Sequence, residues 1–198
     1  MCIRDRYYWR VNAKDNASPA NWSVWSSTRS FRVGTALPSH TVGEGLIGGD
    51  TTWRMLNDGS YDVNFYDNSG ANLDKFQLKA GTVPYGDSPL IDWTDSGIDI
   101  YDQSSSTVPW QFPETIWQAL QSGGTNYISI RTYDLAGNVS SYIDAFFVLK
   151  DTVPPPVPTL LTPADETVTN QTEITFEWSA VSDLPSDGSG LSLSLIHI

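Results

Sequence analysis

Five aspartates, Asp87, Asp92, Asp95, Asp99 and Asp102, fall within sixteen residues of one another. A second acidic stretch, Asp67-Asn68-Ser69-Gly70-Ala71-Asn72-Leu73-Asp74, sets oxygen-bearing side chains at every second or third position. Such spacing suits a hard cation, because calcium takes six to eight oxygen ligands in a flexible geometry. Asp67, Asn72, Asp74, Asp92 and Asp95 are therefore candidate ligands of a weak calcium site, with a solvated acidic surface as the alternative. Neither stretch has the EF-hand order, which needs Gly at its sixth position and Glu at its twelfth. Many carboxylate pairs are available for glycoside hydrolysis, and nothing in their spacing singles one out.

Eight tryptophans, at 9, 22, 25, 53, 93, 110, 117 and 178, supply the second kind of chemistry. An indole face stacks on a sugar ring, and polar neighbours then fix the orientation of the ligand. Trp93 and Trp110 lie in loop-rich stretches beside Asp92, Asp95, Gln103 and Gln111, and are the candidate glycan contacts; structural packing is the alternative. Trp9, Trp117 and Trp178 fall on alternating or helical apolar faces, which core packing explains. In Trp22-Ser23-Val24-Trp25-Ser26 the two rings are spaced to interleave with cations. Arg10, Trp22, Trp25 and Arg29 are the expected Trp/Arg ladder, with Arg32 as a further cation, and a ligand face is the other reading. The pattern resembles the Trp-Ser-x-Trp-Ser element of cytokine receptors, whose disulfides this chain lacks.

Residues 1 to 6, Met-Cys-Ile-Arg-Asp-Arg, and 193 to 198, Leu-Ser-Leu-Ile-His-Ile, resemble translations of the two strands of a transposon-end adaptor used in sequencing libraries. They are expected to be scars of a metagenomic fragment whose genuine segment is 7 to 192. Setting them aside removes Cys2 and His197, the one cysteine and one of two histidines. Without a thiol or a histidine pair there is no cysteine nucleophile, disulfide or His-pair zinc site. His40, in Leu37-Pro38-Ser39-His40-Thr41, reads as an exposed connector residue rather than a catalytic base.

The 198 residues carry 11 Lys plus Arg against 23 Asp plus Glu, a net charge of -12. That excess argues against nucleic acid, whose phosphates demand clustered positive charge. The longest apolar run, Ala145 to Leu149, is far short of the roughly 20 residues of a membrane helix, so no membrane insertion is expected.

The elements that must position these groups read as strands. Tyr7, Trp9, Val11 and Ala13 alternate with polar or exposed partners, Asp15 to Asn21 turns the chain, and Ser30 to Val33 returns. Residues 34 to 49 read as a linker running into an edge strand. Period-two alternation then recurs at Tyr61/Val63/Phe65, Phe76/Leu78/Ala80 and Ile128/Ile130/Thr132, with Tyr142 to Leu149 closing a hairpin after Asp134-Leu135-Ala136-Gly137-Asn138. One short helix is expected over Pro113 to Gln121, with Ile116, Trp117 and Leu120 inward and Gly123-Gly124 as a stop. These signals predict an all-β fold, an antiparallel β-sandwich complete over 50 to 150. Asp151 to Pro158 reads as a stiff Pro-rich linker, and Thr172 to Trp178 as a strand of a truncated unit spanning 151 to 192.

Tyr-Trp-Arg-Val-Asn-Ala-Lys-Asp (8 to 15) and Tyr-Ile-Ser-Ile-Arg-Thr-Tyr-Asp (127 to 134) align at their tyrosine and aspartate, which points to tandem modules. These pieces, with Asn21 to Ser26, Asp134 to Ser140 and Asp151-Thr152-Val153-Pro154-Pro155, are similar to tandem fibronectin type III and immunoglobulin-like repeats of large bacterial secreted or cell-surface proteins. The resemblance covers most of 7 to 33 and 50 to 192. It implies one complete Ig-like sandwich between two truncated neighbours, the first being a C-terminal fibronectin type III-like hairpin at 7 to 33. The expected function is a non-enzymatic spacer or adhesion segment, extracellular or on the cell surface. Its partners would be neighbouring repeats of the same chain, and surface glycans or proteins; no cofactor is required beyond the calcium already considered. The alternative is a carbohydrate-binding accessory module of a polysaccharide-active enzyme.

Overall fold

The computed structural model describes residues 6 to 42, 49 to 107, 109 to 183 and 189 to 191. Apart from Arg6, the two adaptor-like termini lie outside the described residues. The chain order is β1 (Arg6–Trp9), β2 (Arg29–Arg32), β3 (Ser39–Val42), β4 (Val63–Tyr66), β5 (Leu73–Gly81), β6 (Ile91–Asp95), β7 (Ser105–Ser106), α1 (Glu114–Ala119), β8 (Gly124–Asp134), β9 (Val139–Lys150), β10 (Leu160–Thr162) and β11 (Glu177–Trp178). Every pairing between these named strands is antiparallel, two isolated parallel bridges join Gly49 to Phe147 and Arg54 to Lys150, and the fold is nearly all-β.

Two sheets enclose one core. A three-stranded sheet has the order β3-β4-β7 and a four-stranded sheet the order β6-β5-β8-β9. The alternation explains which side chains turn inward. Val63 and Phe65 of β4, Phe76 and Leu78 of β5, Ile128 and Ile130 of β8, and Phe146 and Val148 of β9 are all buried. Phe65 stacks on Phe76 at 4.4 Å between ring centres, so the two sheets meet face to face in an arrangement that fits a β-sandwich. Fully burying each such side chain contributes on the order of 1.5–3 kcal/mol.

Helix α1 plugs one end of this core. Pro113 precedes its first turn, where a missing N–H costs nothing, and Ile116, Trp117 and Leu120 are buried. The helix ends at Leu120, whose backbone is already extended, and Gly123 takes a positive φ of 71° to redirect the chain into β8. Asn126, fully buried, fixes this corner: its Oδ1 accepts from Gln121 N at 2.8 Å and its Nδ2 donates to Gln121 O at 2.9 Å.

Three local readings are corrected by packing. His40 is not an exposed connector residue; it lies in β3 opposite Phe65, half-buried, with its ring edge-on to Tyr142 at 5.6 Å. Burial lowers its pKa, which favours the neutral imidazole. Within Thr172 to Trp178 only Glu177–Trp178 is strand, paired with β10. Trp9 and Trp178 are half-exposed, because the two-stranded ribbons β1-β2 and β10-β11 have no second layer over them among the described residues.

Candidate functional site

The two ends of the β8-β9 hairpin carry the polar groups by which the flanking segments attach. At its turn, Asp134 is almost fully buried and saturated with donors. Its Oδ1 accepts from Ala136 N at 3.0 Å and Asn138 N at 2.8 Å; its Oδ2 accepts from Asn138 Nδ2 at 2.8 Å and Ser69 Oγ at 3.2 Å. Asp67 closes the neighbouring turn in the same way, accepting from Ser69 N and Gly70 N, and it shares the single Ser69 hydroxyl proton with Asp134, Ser69 Oγ lying 2.8 Å from Asp67 Oδ1. With both turns fixed, their outward groups hold the incoming chain. Asn138 Nδ2 donates to Gly34 O at 3.0 Å, Asn68 Nδ2 to Leu37 O at 3.1 Å, and Arg32 Nη1 to Gly70 O at 3.1 Å. A Cβ on Gly34 would stand 2.8 Å from Ser69 Oγ, so the close approach needs glycine there.

The outgoing chain is held at the other end. Asp151 N donates to Arg54 O at 2.9 Å, Thr152 N to Ser122 Oγ at 2.7 Å, and Asp151 Oδ2 accepts from Ser189 N at 2.8 Å. Beside them Asp50, buried, accepts from Arg54 Nε at 2.7 Å and from Leu149 N at 3.2 Å. Arg54 also reaches Asp58 at 3.2 Å. Between the two ends runs β8, whose 11 residues span roughly 34 Å at about 3.4 Å each.

The expected calcium ligands do not converge. Asp67 is taken up by its turn, and Asn72, at positive φ, donates its amide to Asp102. Asp74 sits half-buried in β5. Asp92 accepts from Trp93 N, and Asp95 is split between Gly97 N and Lys75 Nζ, the latter at 3.2 Å. Among the described residues no three His, Cys, Asp or Glu side chains form a metal-holding group. The physical reason is local: aspartates at these spacings close turns by accepting from backbone N–H groups two or three residues on.

Asp67 titrates accordingly. Partial burial raises its pKa, but the hydrogen bonds from Ser69, Asn72 and Gly70 outweigh that and hold it below the ordinary 3.8. A carboxyl depressed in the folded state adds stability that is present above the unfolded value and lost as pH falls through the folded one. The melting temperature of the chain is therefore expected to fall below about pH 4, and Asp67→Asn to flatten that acid limb; an unchanged limb would count against the assignment.

The two candidate sugar contacts separate. Trp110 is not a surface ring: only 7% exposed, it packs in the core against Tyr61, Phe76, Phe112 and Phe146, so no sugar can stack on it. Its loop-like neighbours conceal a bridge in which Tyr61 N donates to Trp110 O and Trp110 N to Tyr61 O. Trp93 lies on the outer face of the four-stranded sheet, partly exposed. The Arg131 guanidinium lies 4.4 Å from the centre of its ring and 5.6 Å from that of Tyr133. Gln77 Oε1 accepts from Arg131 Nε and Nη2 and from Tyr133 Oη, which fixes the cluster.

In the first segment Arg10 lies over Trp25 at 4.5 Å, and Lys14, not an arginine, over Trp22 at 5.6 Å. Arg29 lies in β2 opposite Trp9. The serines of the same motif face the chain: Ser26 Oγ accepts from Val11 N at 3.0 Å and Ser23 Oγ from Ala13 N at 2.9 Å. Each serine also donates its own N–H, Ser23 to Ala13 O and Ser26 to Val11 O, so the motif is a polar seam between two extended stretches.

Of the clamping residues, Arg32 is expected from the sequence only as a ladder cation, whereas its guanidinium donates to Gly70 O; Gly34, Ser69, Asp134 and Asn138 carry no sequence assignment as clamps. Their one visible signal was the pair of turn motifs Asp67-Asn68-Ser69-Gly70 and Asp134-Leu135-Ala136-Gly137-Asn138. No helix among the described residues is long and apolar enough to cross a membrane. Comparison of the chain with known protein families and with curated proteins finds no match.

Proposed function

We propose that the chain is a non-enzymatic structural spacer or adhesion segment of a large extracellular or cell-surface repeat protein. In this reading an Ig-like sandwich at its centre is flanked by truncated fibronectin type III-like or Ig-like units, its partners are neighbouring repeats of the same chain, and no cofactor is needed. The observation that carries the reading is the position of the two clamps. The chain enters at Gly34 beside the β8-β9 turn and leaves at Asp151 beside the start of β8, at opposite ends of one hairpin. Entry and exit at opposite poles place successive units in line, and side-chain bonds to the connecting backbone limit bending where a free linker would not.

Small-angle scattering at low protein concentration and high salt tests this. A compact globule of 198 residues has a radius of gyration of about 16 Å. An in-line chain is expected to exceed that clearly, and Asn138→Ala to broaden the distribution of its longest dimensions. A radius near the compact value would overturn the reading.

A second reading, a carbohydrate-binding accessory module, is favoured by the Trp93, Arg131, Tyr133 and Gln77 cluster on the open sheet face. It predicts saturable quenching of tryptophan fluorescence by a soluble polysaccharide, abolished by Trp93→Ala. Absence of quenching across a glycan panel would remove it.

A further inference from the structure

We propose that the exit junction of the chain holds a calcium ion between the carboxylates of Asp151 and Asp183. A spacer needs no cofactor as such, but here two acidic side chains remote in sequence are brought together out of water. Each residue is only 8% exposed. Both converge on Ser189, whose N–H donates to Asp151 Oδ2 at 2.8 Å and whose hydroxyl donates to Asp183 Oδ2 at 3.2 Å. Gly190 N also donates to Asp183 Oδ2 at 2.7 Å, and Val153 N to Asp151 Oδ1 at 3.2 Å. Asp183 Oδ1, by contrast, is buried with no hydrogen-bond partner among the described residues. A carboxylate oxygen is costly to withdraw from water unless a donor or a positive charge meets it.

No side chain nearby supplies that charge. Residues 151 to 192 hold seven acidic side chains and no lysine or arginine. Lys150, next in the chain, donates to the carbonyls at the end of α1, and Arg54, whose own carbonyl accepts from Asp151 N, pairs with Asp50 and Asp58. Among the described residues no ion pair reaches Asp151 or Asp183. The two carboxyl groups also lie within hydrogen-bonding reach of one another, and groups so placed need either a shared proton or a cation. The bond from Ser189 N outweighs burial and holds the Asp151 pKa below the ordinary 3.8, so this carboxyl is ionised at neutral pH and favours the cation. Calcium suits the pair, because it takes six to eight oxygens in a flexible geometry and completes its shell with main-chain carbonyls and water, whereas magnesium demands a near-ideal octahedron. With two carboxylates the affinity belongs with the weak sites of extracellular modules, on the order of 10⁻⁴–10⁻³ M. Binding here does not depend on the spacer reading. Within that reading, the ion would tie the segment that follows Asp151 to the exit end of the sandwich and stiffen the junction.

The test is titration of the full chain, stripped with a chelator, with calcium chloride and separately with magnesium chloride at constant ionic strength and neutral pH. Calorimetry is expected to show one saturable calcium equivalent. The amide resonances of Val153, Ser189 and Gly190, whose N–H groups donate to the two carboxylates, are expected to shift with it. Asp151→Asn and Asp183→Asn are each expected to weaken binding about tenfold or more, with far-UV circular dichroism checking that the fold is kept. Asp95→Asn, in β6, is expected to leave it unchanged. No saturation by about 10 mM calcium would overturn the proposal, as would an equal response to magnesium or binding that survives both junction variants. A melting temperature that follows pH but not calcium would place a shared proton between the carboxyls and overturn it equally. Scattering tests the spacer reading separately: a compact chain that still binds calcium would sink that reading and leave the site standing.

Discussion

Trp110→Ala is expected to destabilise the chain by about 3–5 kcal/mol, because it empties the centre of an aromatic cluster. The indole contacts Tyr61 at 5.7 Å, Phe76 at 5.3 Å, Phe112 at 5.4 Å and Phe146 at 6.2 Å between ring centres. Those rings come from β5, β9 and the bridged stretches around Tyr61 and Phe112, so they cannot all collapse into the space left behind. For a sandwich of about 100 residues, a loss of that size lowers the melting temperature by roughly 15 °C or more. Trp110→Phe separates volume from polarity. The Nε1 of Trp110 is buried with no hydrogen-bond partner among the described residues, so phenylalanine removes an unsatisfied donor while keeping most of the packing. Its cost is expected to be about 1–2 kcal/mol. Trp93→Ala, which loses a partly exposed cation–π stack, is expected to cost about 1 kcal/mol or less. Denaturant unfolding of the three variants checks the order; equal losses at 93 and 110 would contradict this division between core and surface.

That contrast shows what local sequence can and cannot locate. The inward faces at Tyr61, Val63 and Phe65, at Phe76, Leu78 and Ala80, and at Ile128 and Ile130 were legible because strand geometry repeats every two residues and one face must leave water. The short helix was legible from Pro113 and the spacing of Ile116, Trp117 and Leu120. Trp110 was not, since no alternation surrounds it and its burial comes from a bridge to Tyr61, remote in sequence. His40 was misread for the same reason: proline and small polar neighbours suggest a connector, but pairing of β3 with β4 decides its environment. At the candidate site, the turns around Asp67 and Asp134 were visible while their role was not. An aspartate with oxygen-bearing neighbours is equally suited to hold a cation or to close its own turn, and the direction of nearby N–H groups distinguishes them. Gly34 shows the limit most plainly, because its need for a missing Cβ arises from Ser69.

Lys150 is the second position where a single substitution is expected to have a large effect. The residue is only 4% exposed, and its ammonium donates to Trp117 O at 2.8 Å and Leu120 O at 2.9 Å, with Gln118 O at 3.5 Å. These carbonyls belong to the last turn of α1, where a helix leaves its acceptors without intrahelical partners and where a positive charge suits the dipole. Burial lowers the lysine pKa, opposed by the attraction of Glu114, so some cost of desolvation is already built into the native state. Replacing a buried charge by an apolar chain of similar length sometimes stabilises, because that cost disappears. Here the balance goes the other way. Lys150 offsets no buried carboxylate; it donates to Leu120 O and adds a second donor to Trp117 O, which also accepts from Leu120 N at 3.2 Å, so a methionine would remove the ammonium from both carbonyls beneath the Trp117 ring, 5.2 Å away. Lys150→Met is therefore expected to cost about 2–4 kcal/mol. The loss should centre on the helix and its corner, so Trp117 fluorescence and amide exchange across α1 should change before the β5-β8 pairing does. Lys150→Met with unchanged or higher stability would mean that the end of α1 finds other donors. In that case the corner around Asn126, rather than the ammonium, holds the helix on the sandwich.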